Sequence, residues 1–305
     1  VFLILRAGTK AAYQAGMRIL GFHILSGVLL LDGLIYIYKK SGSFAYADAG
    51  FIESFSHPAA KYIFGALAIK AAFPLVHTWL KDVTSKTTVL GSIILPVATT
   101  VLAVYAFARI FPGLDLLIWL GAIMAAYAVI FAAIVNDYRR ILAYAQNALT
   151  GIAICAIGVG TPLALNAAAG LAFTSLIVMT LLFMVVGAVL YRTGTAKVDA
   201  LGGVWRSMPL SAVFAIIGAA SIAGLPFFLG GVTLPLALQS ITDGAGLSVT
   251  LLIMLGMAGL VYAIGLRLPI TLFFGADSRQ RPAEAPFNMV MAMGLASALC
   301  VLIAL

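Results

Sequence analysis

Long apolar runs, separated by short polar stretches, extend along almost the whole sequence of 305 residues. Apolar residues make up 63% of the chain and charged residues 9%, a ratio that cannot form the surface of a protein in water. A run of about 20 apolar residues crosses the hydrocarbon core of a bilayer as a helix. A transmembrane β-barrel is excluded, because its strands alternate apolar and polar residues. The sequence therefore predicts an all-α, polytopic membrane protein.

Short polar stretches divide the chain into nine apolar segments, so we interpret residues 1–305 as a single membrane domain with about nine transmembrane helices. The segments cover residues 18–38, 61–80, 89–111, 116–136, 141–160, 166–191, 210–235, 248–275 and 288–305. The polar stretch from Lys39 to Pro58 is predicted to be a loop or a short surface helix. Since the chain starts at Val1 and Leu305 lies inside an apolar run, we expect it to be a piece of a longer protein.

The basic residues predict the orientation. With residues 6–18 in the cytoplasm, 13 of the 18 Lys and Arg residues lie on or near that side and four lie on the other. Cytoplasmic loops carry such an excess, so a multi-pass membrane protein with this orientation is expected, with the lipid bilayer as a partner. The net charge of +8 is therefore explained by the basic residues that orient the chain in the membrane. No nucleic-acid partner is predicted, because the basic residues form no dense block with interleaved aromatic residues.

Lys70 is the charged residue predicted to lie near mid-membrane, within Phe64–Leu80 (FGALAIKAAFPLVHTWL). A Lys at the centre of a membrane helix costs about 2.5–3.5 kcal/mol, so it normally faces a bundle interior or a water-filled cavity. The alternative is a side chain that snorkels to an interface. Desolvation makes the neutral form of a Lys accessible, so Lys70 is a candidate for proton transfer.

Two prolines predict broken helices. Pro74 cannot donate to the Lys70 carbonyl and its ring crowds that group, so the helix is expected to open beside the charge. Pro226, together with Gly224 in AGLPFFLGG, predicts a second break. Broken helices in membranes line cavities and hold ion sites in transporters. Ordinary helix packing with a kink is the alternative for the second break.

Three further titratable residues are candidates for ion translocation. Asp32 lies one to two turns below the predicted outer surface, and is either a partner for Lys70 or an interfacial acid with access to water. His23 and His77 either pass protons between water and the interior or are hydrogen-bonded residues at helix ends.

No catalytic, metal or cofactor motif is present, and no cofactor is predicted. Cys155 and Cys300 lie in apolar runs and are predicted to fill the core.

Four ordered motifs resemble the antiporter-like membrane subunits that respiratory complex I (NADH-quinone oxidoreductase) shares with multisubunit Na⁺/H⁺ (Mrp-type) antiporters. Lys70–Leu80 (KAAFPLVHTWL) resembles the family's K-x(3–4)-P-x-H-x-W-L signature, and Asp137–Tyr144 (DYRRILAY) resembles its helix entry. Thr193–Pro209 is similar to its T-G-T, L-G-G and M-P loop, and Ser221–Pro226 (SIAGLP) to its broken helix.

The resemblance implies that the chain corresponds to the sixth to fourteenth helices of a fourteen-helix fold. It also implies that Lys70 pairs with an acid on the fifth helix of that fold, which would lie upstream of Val1. In the family a line of Lys, His and Glu residues at mid-membrane continues the proton path. The positions that match this line are apolar or only hydroxylated here: Leu95 or Val101, Ser175, Met179, Thr233 and Leu234. The chain therefore resembles a degenerate member of the family.

Two functions are compatible with these observations. The first is an integral subunit of a larger complex in a bacterial-type cell inner membrane. It moves, or helps to move, H⁺ or Na⁺/H⁺ through a Lys70 switch, with other membrane subunits as partners. Such a subunit has no catalytic site of its own but can belong to a redox-driven proton translocase. The second is a structural or anchoring subunit that no longer translocates ions.

Overall fold

The computed structural model describes residues 2–42, 55, 57–276 and 281–304, and within these ranges the backbone is almost entirely helical and contains no strand. The helices are α1 (Phe2–Leu5), α2 (Lys10–Ser41), α3 (Pro58–Lys70), α4 (Thr78–Lys86), α5 (Val89–Ile110), α6 (Asp115–Ile134), α7 (Tyr138–Val159), α8 (Pro162–Thr193), α9 (Pro209–Ile222), α10 (Leu229–Gly244), α11 (Leu247–Leu260) and α12 (Phe287–Leu302). Two π-helical segments, Val261–Arg267 and Ile270–Phe274, continue α11.

Six helices of the described chain are long and apolar enough to cross a membrane: α2, α5, α6, α7, α8 and α11 with its π-helical continuation. The other three predicted spans correspond to the broken pairs α3–α4 and α9–α10 and to the shorter α12. The prediction of an all-α polytopic fold with two broken helices is confirmed. The predicted polar stretch after Lys39 begins later than expected, because α2 continues to Ser41, and most of it lies outside the described residues.

Helix ends follow local capping chemistry. The hydroxyl groups of Thr9, Thr88 and Thr161 accept backbone N–H bonds at the starts of α2, α5 and α8. Gly160 and Gly194 end α7 and α8 with positive φ angles of 72° and 74°, which glycine adopts without steric cost. These caps satisfy backbone groups that a membrane interior would leave unpaired.

The centre of the bundle is α7, which packs against α4, α5, α6, α8, α10 and α11. Its contact with α6 is unusually close. A Cβ atom added to Gly121 would lie 2.4 Å from the Cys155 nitrogen, and one added to Gly151 would lie 2.7 Å from the Ala125 nitrogen. Small residues permit such backbone approach, which drives helix association in membranes.

One arginine ties the π-helical segment to the end of α6. The Arg267 guanidinium donates to the carbonyl oxygens of Ala132, Ala133 and Val135 at 3.0, 2.7 and 3.1 Å. These carbonyls have no partner within α6, because a helix leaves its last four acceptors free. Arg267 therefore caps α6 from a distant part of the chain.

Candidate ion-translocation site

Lys70 is the last residue of α3, so its half-buried side chain starts where the helix breaks. The carbonyl end of a helix carries partial negative charge, which favours a cation there. Within the described ranges the ion pairs are those of Asp82 with Arg18 and Lys86, and neither includes Lys70. Lys70 therefore lies at a helix end without an ion pair among the described residues.

The break is held by a defined hydrogen-bond pattern. The Phe73 N–H donates to the Ala68 oxygen at 3.0 Å, and the Ala72 N–H donates to the Ile69 oxygen at 3.2 Å. This Schellman motif requires a left-handed residue, and Ala72 supplies it with φ 58°. The Trp79 indole N–H of α4 donates to the same Ile69 oxygen at 2.9 Å. The carbonyls freed by the break are thus partly satisfied from α4.

His23 lies at the depth of Lys70. Helix α2 runs antiparallel to α3, and the Ser26 hydroxyl donates to the Ala66 oxygen at 2.9 Å. The His23 ring meets the Trp79 ring edge-on with centroids 5.0 Å apart, and His23 is close enough to Lys70 for the two to interact electrostatically. Its Nε2 is buried and has no hydrogen-bond partner in the structure.

Asp32 lies further toward the start of α3. The neighbouring Gly33 packs directly on Ile63, seven residues before Lys70, and Tyr36 stacks on Tyr62 with ring centroids 5.8 Å apart. Seven residues of a helix correspond to about 10 Å along its axis. The half-buried Asp32 is therefore near the outer end of α3, while His23 is the titratable group of α2 beside Lys70.

His77 directly precedes α4, and its ring faces α6 and α7. Its ring is 5.1 Å from that of Tyr127 and 6.3 Å from that of Tyr144. The Nδ1 atom is buried without a partner. A crevice too narrow for a water molecule lies between α4 and α7, and its lining residues are His77, Leu80, Lys81, Ala143, Tyr144 and Asn147. The two histidines thus lie on different helix interfaces of the first break.

The second break repeats the backbone geometry of the first. The Gly224 N–H donates to the Ser221 oxygen at 3.1 Å, and the Leu225 N–H donates to the Ala220 oxygen at 3.1 Å. Gly224 has φ 71° and corresponds to Ala72, and Pro226 follows as Pro74 follows in the first. Ile222 occupies the position of Lys70, so the two breaks share a shape and differ in charge.

The distal positions predicted to lack relay residues lie mostly inside the bundle. Ser175, Met179, Thr233 and Leu234 are buried, and the Thr233 hydroxyl is 2.9 Å from that of Thr174. These side chains are neutral, as the sequence shows, and the hydroxyl pair joins α8 to α10.

Two polar features near the site were not predicted from the sequence. Asp82 on α4 is buried, bonded to Arg18 of α2, and 3.6 Å from Lys86. Gln146 and Asn147 are 0% and 1% exposed near the middle of α7. The signal for the second feature was available, since two adjacent carboxamides interrupt an apolar run in AYAQNAL.

A family profile described as "NADH:quinone oxidoreductase/Mrp antiporter, TM" matches residues 1–264. The chain belongs to this family. The resemblance found in its four motifs is confirmed, and the protein is an antiporter-like membrane subunit by descent.

Two bacterial relatives show how much of the family's length is present. A Na⁺/H⁺ antiporter subunit of Bacillus subtilis (strain 168) is 25% identical over 292 residues, which is 90% of this chain and 59% of the relative. An NADH-quinone oxidoreductase subunit of Desulforudis audaxviator (strain MP104C) is 28% identical over 246 residues, 75% of this chain and 49% of the relative. The chain therefore spans about half to three-fifths of the length of these two relatives.

Solved structures share the fold. A chain of the Mrp complex from Dietzia sp. DQ12-45-1b matches with a TM-score of 0.87 at 19% identity, covering 97% of this chain and 66% of that one. A chain of respiratory complex I from Thermus thermophilus with bound NADH matches with a TM-score of 0.81 at 23% identity, covering 97% and 65%.

Proposed function

We propose that the protein is an integral membrane subunit of a multisubunit ion-translocating complex, and that Lys70 is the switch through which it moves, or helps to move, H⁺ or Na⁺/H⁺. In this proposal Lys70 is a cation when an acid of a neighbouring segment is near and becomes neutral when that acid is drawn away. The other membrane subunits of the complex and the lipid of an inner membrane surround the protein in this proposal.

The position of Lys70 carries the proposal. A charge within a membrane span costs about 2.5–3.5 kcal/mol, and substitution by Leu or Met would remove that cost. Lys70 instead stays at the carbonyl end of a broken helix, beside His23 and without an ion-pair partner in the described part of the chain. His77 and Asp32 belong to the same proposal as groups that exchange protons with the two sides of the membrane.

The relatives support a complex of one of two kinds. One relative is named as a subunit of a Na⁺/H⁺ antiporter, and another as a subunit of an NADH-quinone oxidoreductase. In the second kind this chain would contribute to a redox-driven proton translocase without a catalytic site of its own.

A structural or anchoring role is the second candidate, and the distal positions favour it. Met179, Leu234 and the apolar Leu95 or Val101 cannot accept a proton, and Ile222 lies at the second break where Lys70 lies at the first. Such a subunit would keep the fold and hold its neighbours without translocating ions.

Substitution of Lys70 in the intact complex separates the two functions. In vesicles containing the purified complex, Lys70→Met should reduce coupled H⁺ or Na⁺ movement several-fold. Lys61→Met is the matched control, because Lys61 is an exposed lysine of the same helix. Transport that is unchanged in Lys70→Met refutes the switch and supports the structural role.

Isolation of the native complex identifies its kind. We expect this chain to co-purify with other membrane polypeptides after gentle solubilisation. Flavin and iron–sulfur subunits in the mass spectrum would indicate a redox-driven pump, and small hydrophobic subunits alone an Mrp-type exchanger. Recovery of the chain alone would refute the multisubunit proposal.

A further inference from the structure

The second break presents a strained apolar residue at the outside of the bundle. Phe227 directly follows Pro226, has φ 69° and is 72% exposed. A positive φ is costly for a residue with a Cβ atom, and such strain persists only where the surrounding structure requires it. Leu225 and Pro226 are exposed as well, so three consecutive residues of the break face outward. We call Leu225–Phe227 the outer patch.

The residue before the proline is covered at the first break and open at the second. Phe73 is 4% exposed and packs between Phe64 and Phe107, with ring centroids 5.9 and 5.3 Å away. Leu225 has the same place in the second break, where its N–H makes the matching backbone bond, and it is 49% exposed. The described chain therefore covers this position with aromatic rings at the first break and leaves it open at the second.

Backbone groups of the outer patch have no partner in the described part of the chain. The Phe227 N–H donates to no acceptor there, and the oxygens of Pro226 and Phe227 accept no hydrogen bond. The half-helices α9 and α10 contain 14 and 16 residues, so the patch lies about 20 Å from either end of the span. Lipid tails cannot satisfy backbone groups at this depth. Non-helical backbone is tolerated there only where it lines a water-filled cavity or is buried in protein.

The surroundings of the patch favour protein over water. The first break carries the polar side chains of Lys70 and His77, whereas no charged residue lies between Arg206 and Asp243. Every exposed residue from position 212 to position 238 is apolar: Val213, Ile216, Leu225, Pro226, Phe227, Val232 and Pro235. An apolar surface does not hold water within a membrane. The cover of the second break is therefore expected to be another protein segment.

We propose that a transmembrane helix of a neighbouring subunit docks on the outer patch. Leu225 and Phe227 enter a hollow between apolar side chains of that helix, and one of its hydroxyl or indole groups donates to the oxygen of Pro226 or Phe227. A helix with a charged face does not fit, because the surface around the patch offers no opposite charge. The inference rests on the proposed function in one point only, that the chain belongs to a multisubunit complex.

Photo-crosslinking in the intact complex tests the docking. The photoreactive amino acid p-benzoylphenylalanine replaces Phe227 in one sample and Phe173 in the control, because Phe173 is an exposed phenylalanine of the continuous helix α8. Native membranes are irradiated, and the adducts are identified by mass spectrometry. We expect the yield of adducts with a membrane span of another polypeptide to be several-fold higher at Phe227 than at Phe173.

Three crosslinking results overturn the docking. The first is an equal yield of polypeptide adducts at the two positions. The second is adducts of Phe227 with phospholipid alone. The third is an adduct of Phe227 with another segment of this same polypeptide, which would show that the protein covers its own break.

Phe227→Gly separates docking from folding. Glycine adopts φ 69° without steric cost, so the buried Cys155 should stay as protected from a thiol reagent as in the unsubstituted protein. The fraction of the chain that stays with the other subunits after gentle solubilisation should fall several-fold. Leu102→Ala is the control, since it removes an exposed apolar side chain from the continuous helix α5. Equal fractions in Phe227→Gly and Leu102→Ala overturn the inference.

The same samples keep the docking and the proposed function apart. If other membrane polypeptides co-purify with the chain and the probe at Phe227 labels only lipid, the docking is overturned and the proposed complex stands. If Lys70→Met leaves transport unchanged and the probe at Phe227 labels a neighbouring subunit, the switch is refuted and the docking stands. Recovery of the chain alone overturns both the docking and the multisubunit proposal.

Discussion

Gly121→Ala should loosen the contact between α6 and α7. The added Cβ would lie 2.4 Å from the Cys155 nitrogen, 2.5 Å from the Gly151 oxygen and 2.8 Å from the Cys155 Cα. All three are backbone atoms, so no side chain can rotate away, and α6 has to retreat from α7. Overpacking of this kind costs about 1–3 kcal/mol. Gly27→Ala is the matched control, because a Cβ at this helical glycine meets nothing within 4 Å.

Cys155 reports the opening of this contact. It is free and fully buried, and its own backbone forms part of the crossing. Membranes are heated in steps and treated with a thiol reagent, and alkylation of Cys155 is measured by mass spectrometry. At about 2–4 °C per kcal/mol, the midpoint of alkylation in Gly121→Ala should lie about 5 °C below that of Gly27→Ala. Equal midpoints in the two variants would show that the close approach of α6 and α7 does not limit stability.

Four other substitutions have defined outcomes in the same thermal assay. Ala72→Gly should stabilise the protein by about 1 kcal/mol, because glycine adopts φ 58° without the steric cost that alanine has there. A midpoint of Cys155 alkylation below that of the unsubstituted protein would contradict this. Asp82→Asn should destabilise the protein by about 1 kcal/mol. The loss is modest because the side chain of Arg18 is 53% exposed, so that solvent screens its ion pair with Asp82, and Arg18→Met should show a loss of the same size. Arg267→Lys should cost about 1–2 kcal/mol, since one ammonium cannot replace the forked contact with three carbonyls, and stability equal to the parent would show that water caps α6 instead.

The spans and their breaks were predictable because both are local properties of the chain. Apolar runs set the lengths of α5 to α8, and Pro74 and Pro226 each lie just beyond the end of a half-helix. The left-handed residue of the first break was not predictable, because Ala72 lacks the preference for positive φ that marks Gly224.

The neighbours of Lys70 were harder to predict, because they depend on how α2 slides along α3. A shift of nine residues, about two and a half turns, decides whether Asp32 or His23 reaches the depth of Lys70. The sequence of either helix alone does not specify that register. Burial of Asp82 likewise depends on α2, which supplies Arg18. Helix identity follows from composition, whereas the pairing of polar groups follows from tertiary packing.

The matching backbone of the two breaks bears on how fast Lys70 can change its protonation state. Ile222 occupies in the second break the place that Lys70 occupies in the first, yet the hydrogen bonds and the positive φ angles are the same. The kink therefore does not depend on a charge at that position. In the proposed switch a proton could therefore be added to or removed from Lys70 without unwinding or re-forming a helix, so no microsecond-to-millisecond hinge motion has to accompany the step.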